Sequence, residues 1–157
     1  MTVTAGGYHT CAIKVDQSLA CWGSNDELQS SVPTNLGNVI AVEAGLNHTC
    51  AIKADNTLAC WGHNIYGQST IPANLGAVKK VATGGFHTCA IKADKSVACW
   101  GNNQYAQSSI PADLGRVVNV EVGTFNTCAK KENQTLTCWG SNSFGAINIP
   151  SDLGPLY

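Results

Sequence analysis

Apolar residues arrive along this chain in short alternating runs, never in long amphipathic stretches. "TCAIK" at Thr49–Lys53 and "LACWG" at Leu58–Gly62 alternate over five residues each. A period of two places successive side chains on opposite faces, so these runs predict half-buried strands. "VIAV" at Val39–Val42 and "VVNV" at Val117–Val120 read as a second kind of strand, rich in β-branched residues. Clusters of Gly, Asn and Asp separate the runs and read as turns. No segment offers the ten or more residues at helical spacing that a helical repeat of similar length needs.

The pattern is written four times. "HTCAIKVDQSLACWG" begins at His9, "HTCAIKADNTLACWG" at His48, "HTCAIKADKSVACWG" at His87 and "NTCAKKENQTLTCWG" at Asn126, a constant step of 39 residues. The units are 5–43, 44–82, 83–121 and 122–157, with Pro33, Pro72, Pro111 and Pro150 in phase. A fixed period near 40 residues means an array of supersecondary units. Three strands per unit, with room for a short fourth near Ser30–Val32, make a propeller blade. The expected fold is therefore all-β: a β-propeller of four 39-residue blades per chain, forming one domain over residues 1–157.

All eight cysteines and all four tryptophans fall inside the repeated phrase. The cysteines stand in four equivalent C-x9-C pairs. Disulfides, buried free thiols and metal ligation are the three readings of such pairs. Zinc is disfavoured by the absence of any C-x2-C, and disulfides fit the hairpin best. Pairing Cys50 with Cys60 sets Ile52 opposite Leu58 on one face, and Ala51 opposite Ala59 and Thr49 opposite Trp61 on the other. The loop is then Ala54-Asp55-Asn56, a three-residue turn with the right chemistry. The expected bridges are Cys11–Cys21, Cys50–Cys60, Cys89–Cys99 and Cys128–Cys138. The tryptophan supplies a large face for packing on a neighbouring blade.

The ends are complementary in phase. Tyr157 is equivalent to Ile40, and Val3 to Val42. The N-terminal segment, residues 1–4, is thus expected to complete the last blade. Closure within one chain gives four blades; exchange between two chains gives an eight-bladed homodimer. The small faces, Ala12 opposite Ala20 and Ala51 opposite Ala59, favour shallow blade-to-blade angles and hence the homo-oligomer.

Composition narrows function. Only 12% of residues are charged and the formal net charge is −1, so no basic patch points to nucleic acid. No apolar run reaches membrane-spanning length, so no membrane insertion is expected. "MTVTAGG" is neither a signal nor a transit peptide; a leader removed ahead of Met1 is the expectation that fits the cysteines. Paired cysteines place the chain in an extracellular or other oxidising compartment. Asn47-His48-Thr49 and Asn133-Gln134-Thr135 match the glycosylation sequon.

"HTCAIKADNTLACWGHNIYGQSTIP" resembles the repeat of the regulator of chromosome condensation family, with its G-x-x-H-T-x-A-L opening and W-G-x-N-x-x-G-Q continuation. The shorter unit and the "QSTIP" ending are most similar to short bacterial secreted repeats of the β-lactamase-inhibiting kind. The resemblance covers all four repeats and implies a β-propeller, in which seven blades are usual. The cysteine pair departs from intracellular members and is similar to extracellular repeats of some plant receptor kinases. The family's nucleotide-exchange wedge has no counterpart here, since no blade carries an insertion.

Candidate site residues come from comparing the repeats. The phase before His-Thr reads Tyr8, Asn47, Phe86 and Phe125, and the phase two before Gln reads Glu27, Tyr66, Tyr105 and Phe144. Both lie in turn segments at one end of the blades. Rigid rings there suit a protein-binding or sugar-binding face; packing over the gaps between blades is the other reading. His9, His48 and His87 share a phase with Asn126, which argues for a structural hydrogen bond over a metal or catalytic ring. His63 falls in a variable turn and is expected in solvent. No nucleophile constellation, phosphate loop or carboxylate pair is present, and Ala82 interrupts the phase of Glu43 and Glu121. The expectation is a non-catalytic module with no cofactor and no metal, binding an unknown protein partner in an inhibitor-like manner. A lectin-like module binding a glycan and a building block of an extracellular assembly are the alternatives.

Overall fold

Each hairpin is set by its turn. In the computed structural model, which describes residues 2–154, β5 (His48–Lys53) and β6 (Leu58–Gly62) pair antiparallel, with Cys50 opposite Cys60, Ile52 opposite Leu58 and Thr49 opposite Trp61. Lys53 N–H donates to the Thr57 carbonyl at 2.9 Å, and Asn56 takes the left-handed conformation (φ 64°) that closes a three-residue loop. The Asp55 carboxylate accepts from the Thr57 amide at 2.9 Å and from its hydroxyl at 2.6 Å. That hydroxyl hydrogen bond leads the causes that hold Asp55 below the usual carboxylate range. The same hairpin recurs as β2 (His9–Ile13) with β3 (Leu19–Gly23), β8 (His87–Lys92) with β9 (Val97–Gly101), and β11 (Asn126–Lys131) with β12 (Leu136–Gly140). All four disulfides form within hairpins, Cys11–Cys21, Cys50–Cys60, Cys89–Cys99 and Cys128–Cys138.

The Val-rich strands complete the sheets. β1 (Thr2–Ala5), β4 (Val39–Ala44), β7 (Val78–Thr83) and β10 (Val117–Val122) each pair with the hairpin that follows, giving four three-stranded antiparallel sheets. The segment around Ser30–Val32 forms turns and adds no fourth strand. The expectation that residues 1–4 complete the last blade is corrected here. β1 pairs with β2 of its own sheet, Val3 opposite Ala12 as Val42 is opposite Ala51. The reason is connection length. Only Gly45-Leu46-Asn47 separates β4 from β5, whereas a long turn segment separates β3 from β4, and a tight connection pairs the strands it joins. Met1 and Tyr157, which entered that expectation, lie outside the described residues.

The sheets stack face on face. One face of each hairpin carries the disulfide with two aliphatic residues, or in the fourth with Lys130 and Leu136; the other carries Thr, two small residues and Trp. Cys11, Ile13 and Leu19 of the first sheet pack against Val42, Ala51 and Trp61 of the second, with Leu36 beneath. Cys50 and Ile52 meet Val81, Ala90 and Trp100, with Leu75 beneath, and Cys89 and Ile91 meet Val120, Ala129 and Trp139, with Leu114 beneath. The small alanine faces of the second, third and fourth sheets thus receive the neighbour's disulfide, and Trp61, Trp100 and Trp139 cover its flank. Consecutive sheets pack β2 against β4, β5 against β7 and β8 against β10; among the described residues no comparable packing joins the fourth sheet to the first. The four blades form an arc around β1, β4, β7 and β10. A closed ring of four needs a turn of about 90° per blade, which such thin faces do not wedge apart.

Candidate binding face

One end of the arc is built from backbone that only glycine permits. Gly7 N–H donates to the Gly45 carbonyl at 3.0 Å, Leu46 N–H to Gly84 at 3.1 Å and Gly85 N–H to Gly123 at 3.3 Å. A Cβ on Gly84 would lie 2.0 Å from the Gly123 carbonyl oxygen, so the close approach between blades excludes any side chain there. These turns line a shallow cup at the end of the axis. The residue after each pair belongs to the first candidate phase.

Beside the glycines runs a second seam. His48 Nε2 lies 2.9 Å from Thr88 Oγ1, and the Thr88 hydroxyl donates to the Gln68 carbonyl at 2.9 Å. The hydroxyl's one hydrogen is used, so the imidazole is the donor to Thr88 and its Nδ1 is bare. Trp100 Nε1–H donates to the same carbonyl at 2.9 Å. His9 with Thr49, and His87 with Thr127, repeat the contact at 2.7 Å. Burial pushes His48 down to about 3 and His87 to about 4, because a buried imidazolium would lose water and find no acceptor at Nδ1. The histidine phase is therefore a neutral tie between blades.

Gln29, Gln68 and Gln107 are fully buried and shape the loops that carry the second candidate phase. Each side-chain carbonyl accepts the amide two residues earlier: Glu27 to Gln29 at 2.9 Å, Tyr66 to Gln68 at 3.0 Å and Tyr105 to Gln107 at 2.9 Å. The residue between is left-handed in every blade, Leu28, Gly67, Ala106 and Gly145. In the fourth blade Ala146 stands at the Gln phase and Phe144 itself takes φ 60° with its ring fully in solvent. Three buried glutamines in phase were the sequence signal for this loop frame, and sequence reasoning passed over it.

The structure brings most of the candidate rings together. Tyr66 meets Phe86 edge-on at 5.6 Å, Phe86 stacks on Phe125 at 5.6 Å, and Tyr105 meets Phe125 edge-on at 5.2 Å. His63 joins them, 6.3 Å from Tyr66 and 6.5 Å from Phe86, with Nδ1 2.5 Å from Gln68 Nε2. It is half-buried, contrary to the expectation of a solvent-exposed side chain, because the Gln68 amide and two rings draw it into the ridge. Phe86 and Phe125 are half-buried across blade junctions, whereas Tyr66 and Tyr105 remain 44% and 51% exposed. In this ridge the inner rings pack across the junctions and the outer rings face solvent. Tyr8 stands away from it, and Asn47 and Glu27 occupy the matching places on the first junction, where Gln29 Nε2 reaches Asn47 Oδ1 at 3.4 Å.

Along the axis, Lys80 donates to Glu121 at 2.8 Å and also to Asn119. Burial, opposed by the nearby Lys80, holds Glu43 above the usual carboxylate range. Among the described residues no group of three His, Cys, Asp or Glu side chains converges on one point.

Four matches to the family model for the regulator of chromosome condensation (RCC1) repeat fall at residues 2–29, 39–68, 78–107 and 117–146. They span most of the chain, which belongs to this family. Their starts agree with the observed sheets. No curated protein matches the sequence significantly. Among solved structures, the CRINKLY ectodomain of the Arabidopsis thaliana receptor kinase ACR4 is 28% identical, with TM-score 0.70 over 89% of this chain and 49% of that one. The ectodomain of the Physcomitrella patens receptor kinase CR4 is 26% identical, with TM-score 0.73 over 88% of this chain and 40% of that one. Yeast RCC1 (Prp20), solved bound to Kap60, is 17% identical and shares the fold, with TM-score 0.82 over 96% of this chain and 45% of that one. The chain thus spans less than half the length of each.

Proposed function

We propose that this chain is a non-catalytic module that recognises a protein partner through the aromatic ridge, in the manner of an inhibitor or adaptor. The observation that carries the reading is the continuity of the ridge: rings from three blades touch in series, and glutamine-locked loops hold the outer tyrosines into solvent. Rings fixed before binding lose little entropy on contact and supply large apolar area. Yeast RCC1, which shares the fold, was solved bound to Kap60, a precedent for a protein partner of a protein with this fold. Four disulfides fit an oxidising compartment, and similarity to two receptor ectodomains supports an extracellular one.

The test is capture from native surroundings, comparing the wild-type chain with Tyr66→Ala/Tyr105→Ala. Removing two exposed anchors is expected to weaken a captured partner at least tenfold, about 1.4 kcal/mol, without shifting thermal unfolding. Equal capture by both forms would remove the ridge from the interface. The same rings permit glycan recognition as the competing reading; tyrosine-dependent binding on a glycan array would favour it over a protein partner.

A further inference from the structure

Each buried glutamine of the loop frame needs an acceptor for its side-chain N–H, and the residue five positions earlier supplies it. Gln29 Nε2 donates to Ser24 Oγ at 3.1 Å, and Gln107 Nε2 to Asn102 Oδ1 at 2.6 Å. In the second blade the acceptor is His63 Nδ1, 2.5 Å from Gln68 Nε2. The orientation of this amide is fixed, because Gln68 Oε1 accepts the Tyr66 N–H at 3.0 Å. Nδ1 is therefore the bare, accepting nitrogen of the ring. Among a hydroxyl, an imidazole and an amide carbonyl in this phase, only the imidazole takes up a proton between neutral and mildly acidic pH. The lock lies at the junction of the second and third blades, each of which has a blade on both sides.

We propose that His63 is a pH-sensitive catch on the aromatic ridge: a proton on Nδ1 breaks the tie to Gln68 and frees the Tyr66 loop. A protonated Nδ1 meets the Gln68 Nε2–H as donor against donor. Turning the amide over offers Oε1 to the imidazolium but sets Nε2 against the Tyr66 N–H, which moves the conflict and does not remove it. The hydrogen bond that holds Tyr66 outward is lost in either arrangement. Segments 45–48 and 84–87 beside the ring, and its own loop 63–68, hold His48, His87 and Tyr66 as titratable groups and no Asp, Glu, Lys or Arg. The first blade's loop 24–29, which abuts Gly62, adds Asp26 and Glu27; among the described residues neither forms an ion pair with His63. Burial holds His48 at about 3 and His87 at about 4, so both stay largely neutral in mild acid. The rings of Tyr66 and Phe86 attract a cation but supply no acceptor for the Gln68 N–H. The consequence for binding rests on the ridge being the interface: a partner held at neutral pH is released in mild acid, because Tyr66 is no longer fixed before contact.

Amide hydrogen exchange followed by NMR on the free chain tests the catch. Tyr66 and Tyr105 carry the same lock in two blades, and only the first contains an imidazole. From about pH 7.5 to about pH 5, protection of the Tyr66 amide relative to that of Tyr105 should fall about tenfold. The ratio cancels the pH dependence of exchange chemistry and any loosening of the whole fold. His63→Asn, which copies Asn102 of the third blade, should fold alike and hold the ratio constant. A constant ratio in the wild-type chain overturns the proposal, whether or not the His63 ring signals show it protonated at the lower pH. A ratio that falls equally in His63→Asn overturns it too. A partner captured at neutral pH should be released in mild acid at least tenfold more readily by the wild-type chain than by His63→Asn; equal release overturns the effect on binding. Equal capture by the Tyr66→Ala/Tyr105→Ala form would overturn the ridge as the interface and not the catch, which the exchange ratio decides without any partner.

Discussion

Replacing Cys50 and Cys60 together by alanine is expected to lower unfolding stability by about 3 kcal/mol, read as a shift of the urea midpoint. The bridge closes a ring of 11 residues, which in the chain-entropy model restrains the unfolded chain by about 2.8 kcal/mol. Packing adds to this. Cys50 is fully buried against Ala90 and Trp100 of the next sheet, so truncating the sulfur opens a gap at a blade junction. The Cys128 and Cys138 pair provides the comparison. Its ring is the same length, but its face is only partly covered, so the same replacement should cost measurably less. Equal losses at the two sites would mean that loop closure alone matters and that junction packing adds nothing.

Acidification is expected to weaken the fold between pH 6.5 and about 4, and the tie histidines are the cause. Folded His48 and His87 sit at about 3 and about 4, below the unfolded value of 6.5. Between those limits the unfolded chain binds protons that the folded chain refuses. Stability is therefore fully present above pH 6.5 and falls as the pH drops toward the folded values. Each fully depressed histidine contributes a slope of about 1.4 kcal/mol per pH unit in that window. The chain supplies its own substitution for the test, since Asn126 fills the same phase. His48→Asn should remove about one proton's worth of slope from the stability profile measured in urea at stepped pH. An unchanged slope would show that His48 does not titrate on unfolding in this range.

What could be read from the sequence was local and periodic. The hairpin register followed from Cys50 and Cys60, because a one-residue slip would have put them on opposite faces. The role of Trp61 as a packing surface followed from its place opposite Thr49. The ownership of Val39–Ala44 did not follow, because a repeat has no intrinsic first residue; the short Gly45-Leu46-Asn47 connection was the available clue. The exposure of Trp22 was invisible for a different reason. Its local sequence matches that of Trp61, and only the presence of a preceding blade separates the two. The aromatic phases were visible as positions, but their order as a ridge depends on how far each blade turns against the next. His63 shows the limit most clearly. A polar residue in a variable turn reads as solvated, and only the buried Gln68 amide and the two rings beside it place it in the ridge.

On the proposed function, the ridge end of the arc, and not the hairpin-turn end, meets the partner. Photocrosslinking distinguishes the two ends. A benzophenone amino acid is placed at Tyr105 on the ridge in one protein and at Val15, which is 97% exposed in a hairpin turn, in another. Both are irradiated in native surroundings. A discrete protein adduct is expected from position 105 and absent from position 15. Adducts formed equally from both positions, or from position 15 alone, would contradict it.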